Sequence, residues 1–277
     1  ALLRSWGVTP DAVLGHSVGE IAAAHLAGAL TLADDARLVA TRGALMQPAH
    51  GLGRMAAVTT DLATATAALH DTKLSDRVAI AAINDPTAIV LSGDPTALDT
   101  VLATLTRHGV RSRDLRVDYA FHGPQMAPLG PALATALADL TPAAPTLPLY
   151  STVTGARITT PLDPTYWARN LTDPVRFADA VTTAAADGHT LFLELSPHPV
   201  LQPNLERCLE HAHVVATLRR AQPERRNLLA AAAALYTHGA TIDWSALLPE
   251  PGHLVDLPAY PWQRRRHWIS PAAPPRS

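Results

Sequence analysis

Cysteine occurs once in the 277-residue chain, as Cys208, so the protein forms no internal disulfide and its fold does not depend on cross-links. Lysine also occurs once, as Lys73. Basic and acidic residues nearly cancel, at 22 against 24, leaving a formal charge of −2. A phosphate backbone demands a basic footprint that this balance does not supply, so nucleic acid is not an expected partner. Long apolar runs are missing as well. The stretch 228–236 is about half of the roughly 18 residues that a membrane span requires, and no charged-then-apolar leader opens the chain. No membrane partner is expected, and a cytoplasmic location is. The phosphate cradles G-x-G-x-x-G and G-x-x-x-x-G-K are absent. Cys208, His211 and His213 fall close together but straddle a helix end and a strand start without a second ligand pair, so no metal is expected. What remains, 48% hydrophobic and 17% charged residues, is enough for a packed core.

The residues present alternate between short apolar runs and longer helical patterns. Residues 1–7 read as the last turns of a helix closed by Gly7 with no start signal, so the chain is expected to begin inside a domain. Ala12-Val13-Leu14 reads as a strand, Gly15-His16-Ser17-Val18-Gly19-Glu20 as a sharp turn, and 21–27 as a helix closed by Gly28. Thr31 is a helix N-cap, and Asp34 and Asp35 favour the N-terminal dipole of a helix over 31–46. From 54 to 117 the order becomes strand (55–58), helix (61–70), strand (78–83), strand (88–92), helix (94–108) and strand (111–117). That is the order of a small ferredoxin-like βαββαβ unit. Further on, helices are predicted over 126–140, 174–188, 200–211 and 227–238, with strands over 149–153, 190–195 and 214–218. Alternating strands and helices predict an α/β core with a largely parallel sheet. The proline-rich tail 249–277, with Arg264-Arg265-Arg266, reads as a linker laid over a surface.

The strongest chemical signal is Gly15-His16-Ser17-Val18-Gly19, a G-x-S-x-G set between a predicted strand and a predicted helix. In that setting a strained turn lifts the serine hydroxyl out of the sheet, the glycines give the backbone room, and the amide of the next residue points at a developing oxyanion. Ser17 is then a candidate nucleophile and the Val18 N–H a candidate oxyanion donor. A serine nucleophile needs a base. His122, after a strand end and before Gly123-Pro124, can project over a sheet edge, and His198, in Ser196-Pro197-His198-Pro199, is its rival. Arg42 shares a helix face with Leu38, Val39, Leu45 and Met46, and a guanidinium among apolar residues wants an anion. That anion is either an internal carboxylate, Glu20 or Asp35, or the carboxylate of a substrate.

The run Gly15-His16-Ser17-Val18-Gly19-Glu20-Ile21-Ala22-Ala23-Ala24-His25 resembles the active-site segment of the acyltransferase domains of modular type I polyketide synthases, relatives of the malonyl-CoA:acyl carrier protein transacylases. The likeness continues through Arg42-Gly43-Ala44-Leu45-Met46-Gln47, Tyr119-Ala120-Phe121-His122, Tyr150-Ser151-Thr152-Val153-Thr154-Gly155, Tyr166-Trp167-Ala168-Arg169-Asn170-Leu171, Pro174-Val175-Arg176-Phe177 and Glu194-Leu195-Ser196-Pro197-His198-Pro199-Val200-Leu201. It reaches Leu257-Pro258-Ala259-Tyr260-Pro261-Trp262-Gln263-Arg264-Arg265-Arg266-His267-Trp268, which is similar to the segment that follows such domains.

The resemblance implies an α/β-hydrolase-like core with a parallel sheet over 1–52 and 118–248, an inserted ferredoxin-like subdomain over 53–117, and a post-acyltransferase linker over 249–277. It implies that Ser17 takes an acyl group from coenzyme A and that His122, oriented by a backbone carbonyl, is the general base and then the acid. Arg42 would hold the free carboxylate of a malonyl-type extender unit, and a carrier protein's phosphopantetheine thiol would receive the acyl group. No bound cofactor is implied. The implied partners are malonyl-CoA or a related acyl-CoA, the acyl carrier protein, and a ketosynthase with its linker in a parent polypeptide. Family members carry a Gly-Gln-Gly segment well before the serine, whose glutamine contributes to the oxyanion hole; this chain starts after it and is expected to be an N-terminally truncated fragment lacking a first strand.

Extender choice is implied by Val18 and by Tyr119, Ala120 and Phe121. In the family His-Ala-Phe-His accompanies malonyl and Tyr-Ala-Ser-His methylmalonyl, and Tyr119-Ala120-Phe121-His122 is a hybrid. Phe121 in place of serine fills space that an α-methyl branch would need, which favours malonyl and leaves methylmalonyl or a larger unit as the alternative. A serine thioesterase or hydrolase would share G-x-S-x-G, but Glu20 replaces a glycine common there and Arg42 would be idle. A catalytically silent structural domain is the remaining alternative.

Overall fold

The structure, a computed structural model, describes residues 1–250, 252–253, 255–265 and 267–268. A short helix α1 (Leu2–Ser5) ends at Gly7 and leads to strand β1 (Val13–Leu14), followed by α2 (Gly19–Leu26) and α3 (Leu32–Met46). Thr31 caps α3 through a reciprocal capping box with Asp34. Next come β2 (Arg54–Thr59), α4 (Leu62–Thr72), β3 (Val78–Asp85), β4 (Ala88–Gly93), α5 (Pro95–Arg107) and β5 (Arg111–Asp114). These strands form an antiparallel sheet in the order β3-β4-β2-β5, the ferredoxin-like arrangement. Asp61 and Asp94 cap α4 and α5 by accepting the amides of Thr64 and Ala97. The helices bury Ala65, Leu98, Val101 and Leu105 against Ala56, Val58, Ile89 and Leu91 of the sheet.

The chain then continues through α6 (Leu129–Ala136), β6 (Leu149–Tyr150), β7 (Arg157–Ile158), α7 (Pro164–Thr172), α8 (Phe177–Ala186), β8 (Leu191–Glu194), α9 (Gln202–Cys208), β9 (His213–Ala216), α10 (Glu224–Thr237) and α11 (Trp244–Leu247). The core is α/β, as expected, but its strands form two pieces. β1 pairs parallel with β6, which pairs antiparallel with β7, and β8 pairs parallel with β9 separately. β6 stops at Tyr150, where alternation predicts strand to Val153, because the Ser151 hydroxyl accepts the amides of Val153 and Thr154 at 3.0 Å each and winds the chain into a turn. β5 likewise ends at Asp114, whose carboxylate accepts the Arg116 amide while Arg116 takes φ +53°. Helix α6 is shorter than the predicted 126–140, starting after a single 3₁₀ turn over Pro124–Met126. Helix α7, with Asp163 at its N-cap accepting the Tyr166 amide at 2.8 Å, was not expected at all.

Trp167, Tyr150 and Phe177 are the largest fully buried side chains. Trp167 satisfies its indole N–H on the Leu162 carbonyl at 3.0 Å, which lets so large a group be buried without loss. An apolar cluster of Ala81, Ala82 and Val90 with Val175, Phe177 and Leu205 joins the four-stranded unit to the core, and polar contacts accompany it. The amides of Ile83 and Val175 bond to the carbonyls of Val175 and Ala81 at 2.8 and 2.9 Å. Asn84 meets His16. Asp85, fully buried, accepts from Asn204 Nδ2 at 2.7 Å and Arg207 Nε at 2.6 Å. In the segment read as a linker, 255–265 form no helix or strand and are exposed, whereas Arg266 and 269–277 lie outside the described residues.

Candidate active site

Ser17 sits between β1 and α2 at φ +53°, a left-handed conformation that costs a serine roughly 1–3 kcal/mol. Gly15 makes the turn possible: a Cβ there would lie 2.3 Å from the backbone of Gly19. Gly19 itself has open space around its Cα, so only the first of the two glycines is needed for close approach. The amides of Gly19, Glu20 and Ile21 bond back to the carbonyls of His16, Ser17 and Val18. The Val18 N–H, at the cap of the eight-residue α2, precedes these and takes no part in that turn.

His122 is also held in the left-handed region, at φ +56°, and is buried. Its Nδ1–H donates to the Asp173 carbonyl at 2.9 Å, which leaves Nε2 as an acceptor 2.6 Å from Ser17 Oγ. Burial first, and then the nearby Arg42 charge, hold its pKa down to about 3, so the imidazole is unprotonated at neutral pH. His198, the sequence rival, is exposed and accepts the Arg220 amide instead.

Arg42 is buried on α3 beside Asp35 and Leu38, whereas Val39 turns to solvent. Burial lowers its pKa to about 10 and the nearby Glu20 charge opposes that shift, so it stays cationic. It pairs with neither candidate carboxylate: Asp35 faces His25 at 3.7 Å, and Glu20 bonds to Thr152, Tyr166 and Asn170. Instead Arg42 Nη1 donates to Asn170 Oδ1 at 2.6 Å, and Nη2 lies 3.5 Å from Ser17 Oγ. Thus Ser17, His122 and Arg42, 105 residues apart at the extremes, converge on one oxygen.

His16 Nε2 lies 2.8 Å from Asn84 Oδ1 and its ring packs on Phe177, with burial lowering its pKa. Beside His122, Tyr119 and Phe121 stack at 5.1 Å and Ala120 is fully buried. Among the described residues no three His, Cys, Asp or Glu side chains gather to hold a metal, and no helix is long and apolar enough to cross a membrane. Three participants were not read from the sequence as site residues: Asn170, the Asp173 carbonyl and His16. Asn170 lies on the helix that periodicity missed, but an asparagine spaced three after Trp167 on a capped apolar segment was a usable signal.

The family model described as the acyl transferase domain matches residues 1–242. The chain belongs to that family. It is 45% identical over 280 residues to the spectinabilin polyketide synthase system protein NorA' of Streptomyces orinoci, covering 99% of this acyltransferase and 8% of that protein. It is also 45% identical to the pikromycin synthase component PikAIII of Streptomyces venezuelae, covering 99% of this chain and 18% of that one. The acyltransferase thus spans a small part of the curated relatives it matches. Among solved structures, the acyltransferase domain from the second module of the salinomycin polyketide synthase superposes with a TM-score of 0.85 at 39% identity, covering 89% of this chain and 58% of that one.

Proposed function

We propose that this acyltransferase moves a malonyl unit from coenzyme A to the phosphopantetheine thiol of an acyl carrier protein in polyketide assembly, through an ester on Ser17. The observation that carries this reading is the single oxygen shared by three groups: Ser17 Oγ lies 2.6 Å from His122 Nε2 and 3.5 Å from a buried arginine. In the first half-reaction the Ser17 proton passes to His122 Nε2 as Oγ bonds to the thioester carbonyl carbon. The oxyanion forms next to the Val18 N–H. The C–S bond then breaks and coenzyme A leaves as its thiol with the proton from His122. In the second half-reaction the carrier thiol gives its proton to His122 and attacks the ester, and Ser17 is regenerated. The Asp173 carbonyl keeps the imidazole in the tautomer both steps require.

Arg42 supports a substrate with a second, unreacted carboxylate, because a planar cation in a dry site rewards an anion and leaves a simple acyl group unpaired. Phe121, stacked on Tyr119, supports malonyl over methylmalonyl. The parent ketosynthase and linker, and the carrier itself, are partners on this reading. The test is intact-protein mass spectrometry after brief mixing with equal malonyl-CoA and methylmalonyl-CoA, with Ser17→Ala as control. The expected result is a malonyl adduct that Ser17→Ala abolishes. Thioester hydrolysis without an adduct would indicate a hydrolase, and a folded chain that leaves both thioesters untouched would indicate a silent domain.

A further inference from the structure

We propose that Asn170 is the positioning residue that makes this site select acyl groups carrying a free carboxylate, by fixing the direction of the Arg42 guanidinium relative to Ser17. The inference rests on the role given to Arg42 above. An arginine side chain has many rotamers, and a guanidinium buried near the carboxylate of Glu20 has an obvious alternative: a direct ion pair that would quench its charge before any substrate arrived. The structure places an amide between the two. Asn170 Oδ1 accepts from Arg42 Nη1 at 2.6 Å, and Asn170 Nδ2 donates to Glu20 Oε2 at 2.9 Å and to the Ser17 carbonyl at 3.2 Å. A neutral acceptor holds the cation without neutralising it, and leaves Nη2 directed at the reacting oxygen.

The amide has only one compatible orientation. Turned over, its NH2 would face the guanidinium and its oxygen would face both a carboxylate and a carbonyl. Glu20 is itself fixed. It is fully buried, accepts the Thr152 amide at 3.2 Å, lies 3.0 Å from the Thr152 hydroxyl, and accepts from Tyr166 OH. Asn170 is 2% exposed and sits on α7 next to the fully buried Leu171, so neither side chain nor backbone has room to drift. The chain of contacts therefore runs from a buried acid through an amide to the cation, and the same amide grips the backbone of the nucleophile.

The test measures Ser17 acylation by malonyl-CoA beside labelling of Ser17 by a neutral fluorophosphonate, which uses the Ser17–His122 pair but offers no carboxylate. The wild-type chain, Asn170→Ala, Asn170→Ser, Arg42→Ala and the Asn170→Ala/Arg42→Ala double variant are compared, with a thermal melt of each. Asn170→Ala is expected to slow malonylation about ten- to a hundredfold, as for loss of a hydrogen bond to a charged group, with a clearly smaller fall in fluorophosphonate labelling, which loses only the bond to the Ser17 carbonyl. In the Arg42→Ala background its effect on malonylation is expected to shrink to that smaller fall. Asn170→Ser keeps a polar group on α7 but is too short to reach Arg42, so it is expected to raise KM for malonyl-CoA with labelling largely kept, and it carries the test if the alanine variant does not fold. Parallel loss of malonylation and labelling, or unchanged malonylation in folded variants, overturns the proposal. A wild type that fluorophosphonate labels at Ser17 but malonyl-CoA does not acylate overturns the acyltransfer reading itself.

Discussion

The four-stranded unit and the segments around Ser17 obey opposite rules. In the unit, β2 pairs with β4 over six consecutive residues, the helices carry side-chain caps, and apolar residues recur with helix and strand periods. Around Ser17 the paired strands are two residues long, Ser17 and His122 both sit at positive φ, and buried polar groups such as Glu20, Arg42 and Asn170 gather. The regular unit holds together through area removed from water, whereas the irregular one holds together through directed hydrogen bonds that leave side chains aimed at a point. A serine lifted out of a sheet and a histidine turned towards it are conformations that local preference resists, and the surrounding contacts have to impose them.

The largest test of this contrast is Leu98→Ala in the unit. Leu98 is fully buried on α5, so the variant is expected to lose about 2–5 kcal/mol in urea unfolding while the folded protein acylates at the wild-type rate. A large fall in acylation by the folded variant would show that the unit does more than support the cleft. Phe121→Ser is the converse, a change at the irregular end. It is expected to move the malonyl-to-methylmalonyl ratio towards methylmalonyl by about ten- to two-hundredfold, the worth of one methyl in a pocket, with little change in melting temperature. An unchanged ratio would remove Phe121 from extender choice.

The smallest expected effect concerns pH. Burial holds His122 at about 3, against an ordinary value of 6.5, so the native base is neutral throughout pH 5 to 7.5. Single-turnover acylation is therefore expected to stay flat, within about twofold, across pH 6.5. The unfolded chain does take up the proton at 6.5. The stability that His122 contributes is thus fully present above that pH and is lost progressively as pH falls from 6.5 towards 3. An inflection in acylation near 6.5 would mean that the imidazole is hydrated and not buried.

Legibility in the sequence follows the same division. The boundaries of β2, α4, β3, β4 and α5 were readable to within about two residues, since Asp61 and Asp94 announce helix starts and β3 and β4 are dense in apolar residues. Thr31 with Asp34 announced α3 in the same way. Ser17 was readable because G-x-S-x-G has a mechanical meaning between a strand and a helix, whereas among thirteen histidines loop position offered His122 with His198 as its rival, and resemblance set His122 ahead. Asn170 as the internal partner of Arg42, in place of Glu20 or Asp35, was not legible, because spacing along one helix says which face is buried and nothing about what packs on it 128 residues away. The core sheet was overestimated for a related reason. Alternation at 149–153 does not reveal that the Ser151 side chain competes for the backbone amides that a strand would use.

The buried Asp85 has a bearing on protein engineering. Exchanging the four-stranded unit between relatives is attractive because its first and last strands, β2 and β5, pair side by side and bring its two ends together. Yet the seam runs through Asn84 against His16, and through Asp85 against Asn204 and Arg207, far along the chain from either splice point. A graft cut just outside β2 and β5 whose donor lacks Asp85 would strand Asn204 and Arg207 without their acceptor. A donor lacking Asn84 would release the imidazole that precedes the nucleophile. The transferable module is thus defined by its buried seam: a chimera that keeps residues 84 and 85 matched to 16, 204 and 207 should outlast one spliced by sequence boundaries alone.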